Sequence, residues 1–201
     1  TCPSGNATKS LEVMQTKAQK WIDRAKEGKL TRRDIWFLLE RQMWHGVGYG
    51  LGCSMASWKE LTHCLKKQYW QIIPLGGVIR TAPAALRQQD IGFYGIGCRH
   101  PGVECMVEQL NLLLMHYGCS SALGLELKVS LEYMICELGL SVQPLQQSYN
   151  KYGNWATLSW LKTVWEKCSK FDVTVNFADV PLDECRGGDK WMMSEFIRVG
   201  Y

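Results

Sequence analysis

Leu11, Met14, Ala18, Trp21, Ile22 and Ala25 recur at spacings of three and four. That period puts them on one face of an α-helix over 8–27. Gly28 stops this helix, and Thr31 opens a second one with Asp34 where the acid of a capping box belongs. The second helix carries Ile35, Leu38, Leu39 and Met43. The link between the two is only Gly28-Lys29-Leu30, so the helices are expected to pack as an antiparallel hairpin.

The rest of the chain continues the pattern. In His45-Gly46-Val47-Gly48-Tyr49-Gly50-Leu51-Gly52, glycine at every second position predicts either an extended segment with one bare face or a flexible connector. Ser57-Trp58-Lys59-Glu60 is a capping box for a helix over 58–71. Pro74 and Gly76-Gly77 break the apolar run 72–79, and Pro83 starts a short helix. Gly92 to Cys98 is a glycine-aromatic loop. Pro101 opens a helix whose expected core face is Val103, Val107, Leu110, Leu114 and Tyr117. Leu127, Leu131, Met134, Ile135 and Leu138 mark the next helix, ended by Gly139. Leu161, Val164, Trp165 and Cys168 mark one over 157–169. The alternating segment 171–177, Phe-Asp-Val-Thr-Val-Asn-Phe, predicts a single strand, and 189–199 a last helix. The fold class is therefore mainly α: seven or eight helices in a bundle-like domain, with a glycine-rich connector and one short strand near the C-terminus.

Composition narrows the class further. In 201 residues, 46% are apolar and 21% charged, which is ordinary for a globular chain. No apolar run approaches the roughly 18 residues of a membrane helix, and the N-terminus lacks the pattern of a secretory signal. The chain does not begin with Met and reads as an excised segment. Nine Trp point to apolar surface kept for neighbouring segments. Nine Cys, an odd number without a Cys-x-x-Cys pair, read as small hydrophobes in a reduced, intracellular protein of the cytoplasm or nucleus.

No catalytic constellation emerges. Cys98-Arg99-His100 with Cys105 has the wrong spacing for zinc, and His63-Cys64 diverge by about 100° on a helix. Gly92-Phe93-Tyr94-Gly95-Ile96-Gly97 reverses the glycine spacing of a dinucleotide site, and no phosphate-loop Gly-Lys-Ser/Thr occurs. A polymerase centre needs paired acids for two metal ions about 4 Å apart, yet the chain has no Asp-Asp pair; Asp183, Glu184 and Asp189 read as solvated. The chain alone is expected to be no enzyme, with no catalytic residue, metal ligand or cofactor.

Charge is uneven. Residues 1–67 hold 12 Lys/Arg against 6 Asp/Glu, and 68–201 hold 11 against 13. Lys17, Lys20, Arg24, Lys26, Lys29, Arg32 and Arg33 form the candidate nucleic-acid face, placed to meet phosphates from two helices and their turn. An ordinary solvated helix face would carry the same residues.

A series of short motifs carries a resemblance. It begins with 2–12, Cys-Pro-Ser-Gly-Asn-Ala-Thr-Lys-Ser-Leu-Glu, and continues through Gly28-Lys29-Leu30-Thr31-Arg32-Arg33-Asp34 to Trp44 and Tyr49-Gly50-Leu51. Further on come 74–83, 92–97, 114–119, Glu137-Leu138-Gly139-Leu140, 149–153 and 160–165. In this order the motifs resemble the region after the polymerase palm in non-LTR-like retroelement reverse transcriptases. The resemblance covers nearly the whole chain. It implies a segment between the palm and a ribonuclease H-like domain, with 1–73 as a thumb-like helical region and 74–201 as a helical connection. A thumb holds the template–primer, an RNA–DNA or DNA duplex, through backbone contacts. The implied partners are that duplex and the adjacent polymerase and ribonuclease H-like domains of the same polyprotein, with no membrane. The alternative is a purely structural intramolecular scaffold or protein-interaction domain without nucleic-acid contact.

Overall fold

The computed structural model describes residues 7–177, 190 and 192–200. Most of them are helical, and none lies in a strand. The chain divides into two compact units, Thr1–Glu108 and Gln109–Tyr201. The expected division at 73/74 falls inside the first unit.

In the first unit, α1 (Thr8–Glu27) has the bounds that its periodicity predicts and buries Met14, Ala18, Ile22 and Ala25. Leu11 and Trp21 are half-buried against the same core. Fully burying a side chain such as Ile22 contributes about 1.5–3 kcal/mol. Gly28 keeps an ordinary φ of −76°, and the left-handed residue of the turn is Lys29 at φ 47°. The Thr31 capping box forms as read: the Asp34 carboxylate accepts from the Thr31 N–H, and the Thr31 hydroxyl accepts from the Asp34 N–H.

Helix α2 (Arg32–Leu38) runs into a π-helical turn, Leu39–Met43, and then into α3 (Trp44–Gly48). The glycine-rich connector therefore needs correction, because its first half is helical. Trp44 and Val47 are buried in the core, and this packing outweighs the weak helix propensity of Gly46 and Gly48.

The helix expected over 58–71 is two helices, α4 (Trp58–Cys64) and α5 (Lys66–Leu75), divided at Leu65 with φ −105° and ψ 6°. The break frees the Cys64 carbonyl, which accepts from the Gln15 side chain of α1 at 2.8 Å. Pro74 sits in the last turn of α5. A short α6 (Ala84–Gln88) and a 3₁₀ turn at Ile91–Phe93 lead to α7 (Pro101–Tyr117), in which the boundary between the units falls.

The expected core face of α7 is corrected in register. Tyr117 is buried as expected, but its companions are Cys105, Met106, Gln109 and Leu113. Val107 and Leu114 are 43% and 60% exposed. The helix is apolar on several faces, so spacing alone does not choose among them. A polar pair enters the choice: the buried Gln109 amide donates to the Thr163 hydroxyl at 3.3 Å.

In the second unit, α8 (Ala122–Leu138) buries the five residues its pattern predicts and ends at Gly139 in the left-handed conformation. After a 3₁₀ turn, α9 (Tyr149–Tyr152) and a second 3₁₀ turn lead to α10 (Trp160–Ser169). This helix is capped by Ser159 and buries Leu161, Val164, Trp165 and Cys168 as expected. The last helix, α11, spans Met192–Val199; Asp189, its expected first residue, lies outside the described residues.

The predicted strand over 171–177 is absent. Alternation makes a strand only where a neighbouring backbone can pair with it. Here a side chain takes that role: Gln143 donates its amide to the Phe177 carbonyl at 2.6 Å and accepts from the Phe177 N–H at 3.2 Å. The Phe177 ring stacks on Tyr117 with centroids 3.9 Å apart, and Val175 is buried. The segment begins as a turn, with Asp172 left-handed at φ 53° and the Phe171 and Val173 N–H groups donating to the Cys168 carbonyl, and no strand forms in it.

Candidate nucleic-acid interface

All seven basic residues singled out in the sequence are exposed and belong to the first unit. That unit holds 15 Lys/Arg against 9 Asp/Glu. Lys17, Lys20 and Arg24 share one face of α1, because steps of three and four residues return to the same side of a helix. They rim a groove of about 440 Å³ between α1 and the π-turn with α3. Trp21, Met43, Gly46 and Val47 line the same groove, together with Gln42. The three cations lie seven residue steps apart from first to last, about 10 Å of helix axis. That is the length of about three phosphates along one strand of a duplex.

The local fold explains the groove. Trp21 is held half-buried against the core, which fixes the rotation of α1 and turns Lys17, Lys20 and Arg24 outward. Gly46 lies in α3, three residues beyond the π-turn, and its missing side chain leaves open space. The Gly46 carbonyl accepts from the Lys17 ammonium at 3.1 Å. Among the described residues, no carboxylate lies in ion-pair contact with any of the three cations.

The other four residues stand elsewhere on the unit. Lys26 donates to the Gln71 side chain at 2.7 Å and so points along α5. Lys29 occupies the left-handed turn. The Arg32 side chain lies across Gly77, where a Cβ would meet it at 2.6 Å. Arg33 is exposed beside Asp34, whose carboxyl is held below its ordinary value chiefly by the Thr31 hydrogen bonds. Sequence reasoning thus named the three groove cations but also grouped four that the fold separates. It missed Gln42 and the Gly46 carbonyl, because periodicity does not reveal a π-turn.

The remaining cation of note, Arg99, is engaged. Its guanidinium bridges Glu40 at 2.6 Å and Glu104 at 3.2 Å. Tyr69 donates its hydroxyl to the Arg99 carbonyl.

No family model, no curated protein and no solved structure matches the chain.

The cysteine and histidine clusters have structural roles. Cys98 is buried, and burial pushes its thiol up to about 11. The His100 ring stacks on Trp58 with centroids 4.8 Å apart, and its Nδ1 accepts from the Gly102 N–H at 3.1 Å. Burial pushes the His100 imidazole below its ordinary value. Among the described residues, no group of three His, Cys, Asp or Glu side chains is placed to hold a metal ion. Among the described residues no two cysteines form a disulfide; Cys2 and Cys185 lie outside the described residues. Among the described residues, no helix is long and apolar enough to cross a membrane.

Proposed function

We propose that this chain is a non-catalytic, nucleic-acid-holding segment of a retroelement-type reverse transcriptase, working inside the cell. In this reading the first unit grips the backbone of a template–primer duplex, and the chain links the polymerase to the domain that follows it. The observation that carries the proposal is the groove rimmed by Lys17, Lys20 and Arg24. Exposed cations without carboxylate partners release counterions when they meet phosphates, which gives affinity without base recognition. The collinear motifs described above supply the polymerase context. The test is binding of an RNA–DNA hybrid, with and without charge reversal at Lys20 and Arg24. Unchanged affinity in the reversed variant would refute the proposal.

A second reading has an observation of its own. Helix α8 leaves Leu125, Val129 and Tyr133 exposed on the side away from Leu127, Leu131 and Met134. Exposed apolar residues in such a row of i, i+4 steps form a patch of the kind that marks an interaction site. On this reading the second unit is a scaffold for adjoining domains of the same polyprotein.

A further inference from the structure

From the last turn of α6, residues 86–98 fold back on themselves and carry apolar side chains into solvent. The stem of this loop is held by three backbone hydrogen bonds: Ile96 to Leu86 at 2.9 Å, Gly97 to Gln89 at 2.9 Å and Cys98 to Arg87 at 2.7 Å. The tip is held by Asp90, whose carbonyl accepts from the Phe93 and Gly95 N–H groups and whose carboxylate accepts from Gly92 at 2.7 Å. Gly95 is required here, since a Cβ would lie 2.0 Å from the Gln89 carbonyl oxygen. In spite of this order, Ile91, Phe93 and Tyr94 are 73%, 72% and 94% exposed. Tyr94 is left-handed, with φ 61° and ψ 20°. That conformation favours glycine and costs a tyrosine free energy. A strained backbone that leaves an aromatic ring almost wholly in water has no purpose in the packing of this unit.

We infer that this knuckle is a stacking platform for unpaired bases of single-stranded nucleic acid, with Phe93 and Tyr94 offering their rings. The inference rests on the reading of the chain as a nucleic-acid-holding module and adds a second contact to it. Three arguments select the occupant. The unit's excess of Lys/Arg, 15 against 9 Asp/Glu, favours a polyanion. The one carboxylate of the loop, Asp90, is taken up by the Gly92 N–H of the turn. Three side chains on one turn also cover far less than the roughly 800 Å² per partner of a stable protein interface. Flat exposed rings suit bases that have left the helix, because only those expose their faces.

The test compares the full chain with Phe93→Ala and Tyr94→Gly variants. The probes are a single-stranded oligonucleotide carrying a fluorescent purine analogue and a blunt duplex of the same sequence. The native chain should quench the analogue. Each variant should lose the quenching and bind the single strand about tenfold more weakly, with duplex affinity unchanged. Tyr94→Gly should unfold at the same or a higher temperature, which separates a lost contact from a damaged fold. Charge reversal at Lys20 and Arg24 is the reciprocal arm: quenching that persists there while duplex binding falls supports two distinct contacts. Absence of quenching by the native chain would overturn the inference. So would equal loss of strand and duplex binding in the knuckle variants, or a self-association that the knuckle variants abolish.

Discussion

Trp36 donates its indole N–H to the Gly76 carbonyl at 3.0 Å, and its ring fills the place where a Gly76 side chain would begin. A Cβ there would lie 2.5 Å from the ring. This pair locks α2 to the end of α5, and α2 leads directly into the π-turn that forms one wall of the basic groove. Gly76→Ala is expected to force the indole out and to cost about 1–3 kcal/mol, as overpacking does. Denaturant unfolding measures this, and an unchanged midpoint would mean the ring is not held there.

Gly46 offers the opposite case. It is helical and exposed, and a Cβ added to it meets nothing within 4 Å. Gly46→Ala should raise stability by up to about 1 kcal/mol through helix propensity alone. Its carbonyl would still accept from Lys17, so duplex affinity should stay within twofold or so of the native value. A fall in thermal stability would contradict the helical assignment of 44–48.

His100 makes stability depend on pH. Its ring is held neutral by burial, and its Nδ1 accepts from the Gly102 N–H in the first turn of α7. Protonation removes that acceptor and places a positive charge at a helix N-terminus, where it is unfavourable. The folded pKa is depressed, so the contribution is complete above the unfolded value of about 6.5 and is lost as pH falls through the folded value. His100→Asn keeps an acceptor without the titration. Urea unfolding at a series of pH values from about 7 to 5 should show a steeper loss for the native chain than for this variant. Parallel curves would remove His100 as the cause.

Gln143 holds the end of the segment 171–177 at Phe177. Gln143→Ala removes both hydrogen bonds to the Phe177 backbone and leaves that backbone to find other partners, at a cost of about 1–3 kcal/mol. Limited proteolysis should then cut within 171–177 faster than in the native chain. An unaltered cleavage rate would show that the Tyr117–Phe177 stack and the Gln146–Asn176 hydrogen bond hold the segment without Gln143.

These elements also show what was legible in the sequence. Helix α1 was readable to its ends because its apolar residues fall on one narrow stripe. The capping boxes at Thr31 and Ser57 were readable because both hydrogen bonds depend on residues three apart. The face of α7 was not, since Val107, Leu110, Leu113 and Leu114 offer competing stripes and tertiary packing makes the choice. The alternation at 171–177 mimics a strand, but the element that pairs with Phe177 is a glutamine side chain more than thirty residues away in sequence. At the groove, the cations were visible as charge. Their division into three that converge and four that do not follows from the rotation of α1 and from the π-turn, which spacing rules do not encode.

The salt dependence of hybrid binding tests the central claim most directly. Affinity for an RNA–DNA hybrid, measured over a range of salt concentrations, gives a slope that counts the phosphates neutralised. Replacing Lys17, Lys20 and Arg24 together with Gln should lower the magnitude of that slope by about 2 to 3 and weaken binding at low salt. Replacing Lys26, Lys29 and Arg33 should change it less. Equal slopes for the native chain and the groove variant would contradict the account.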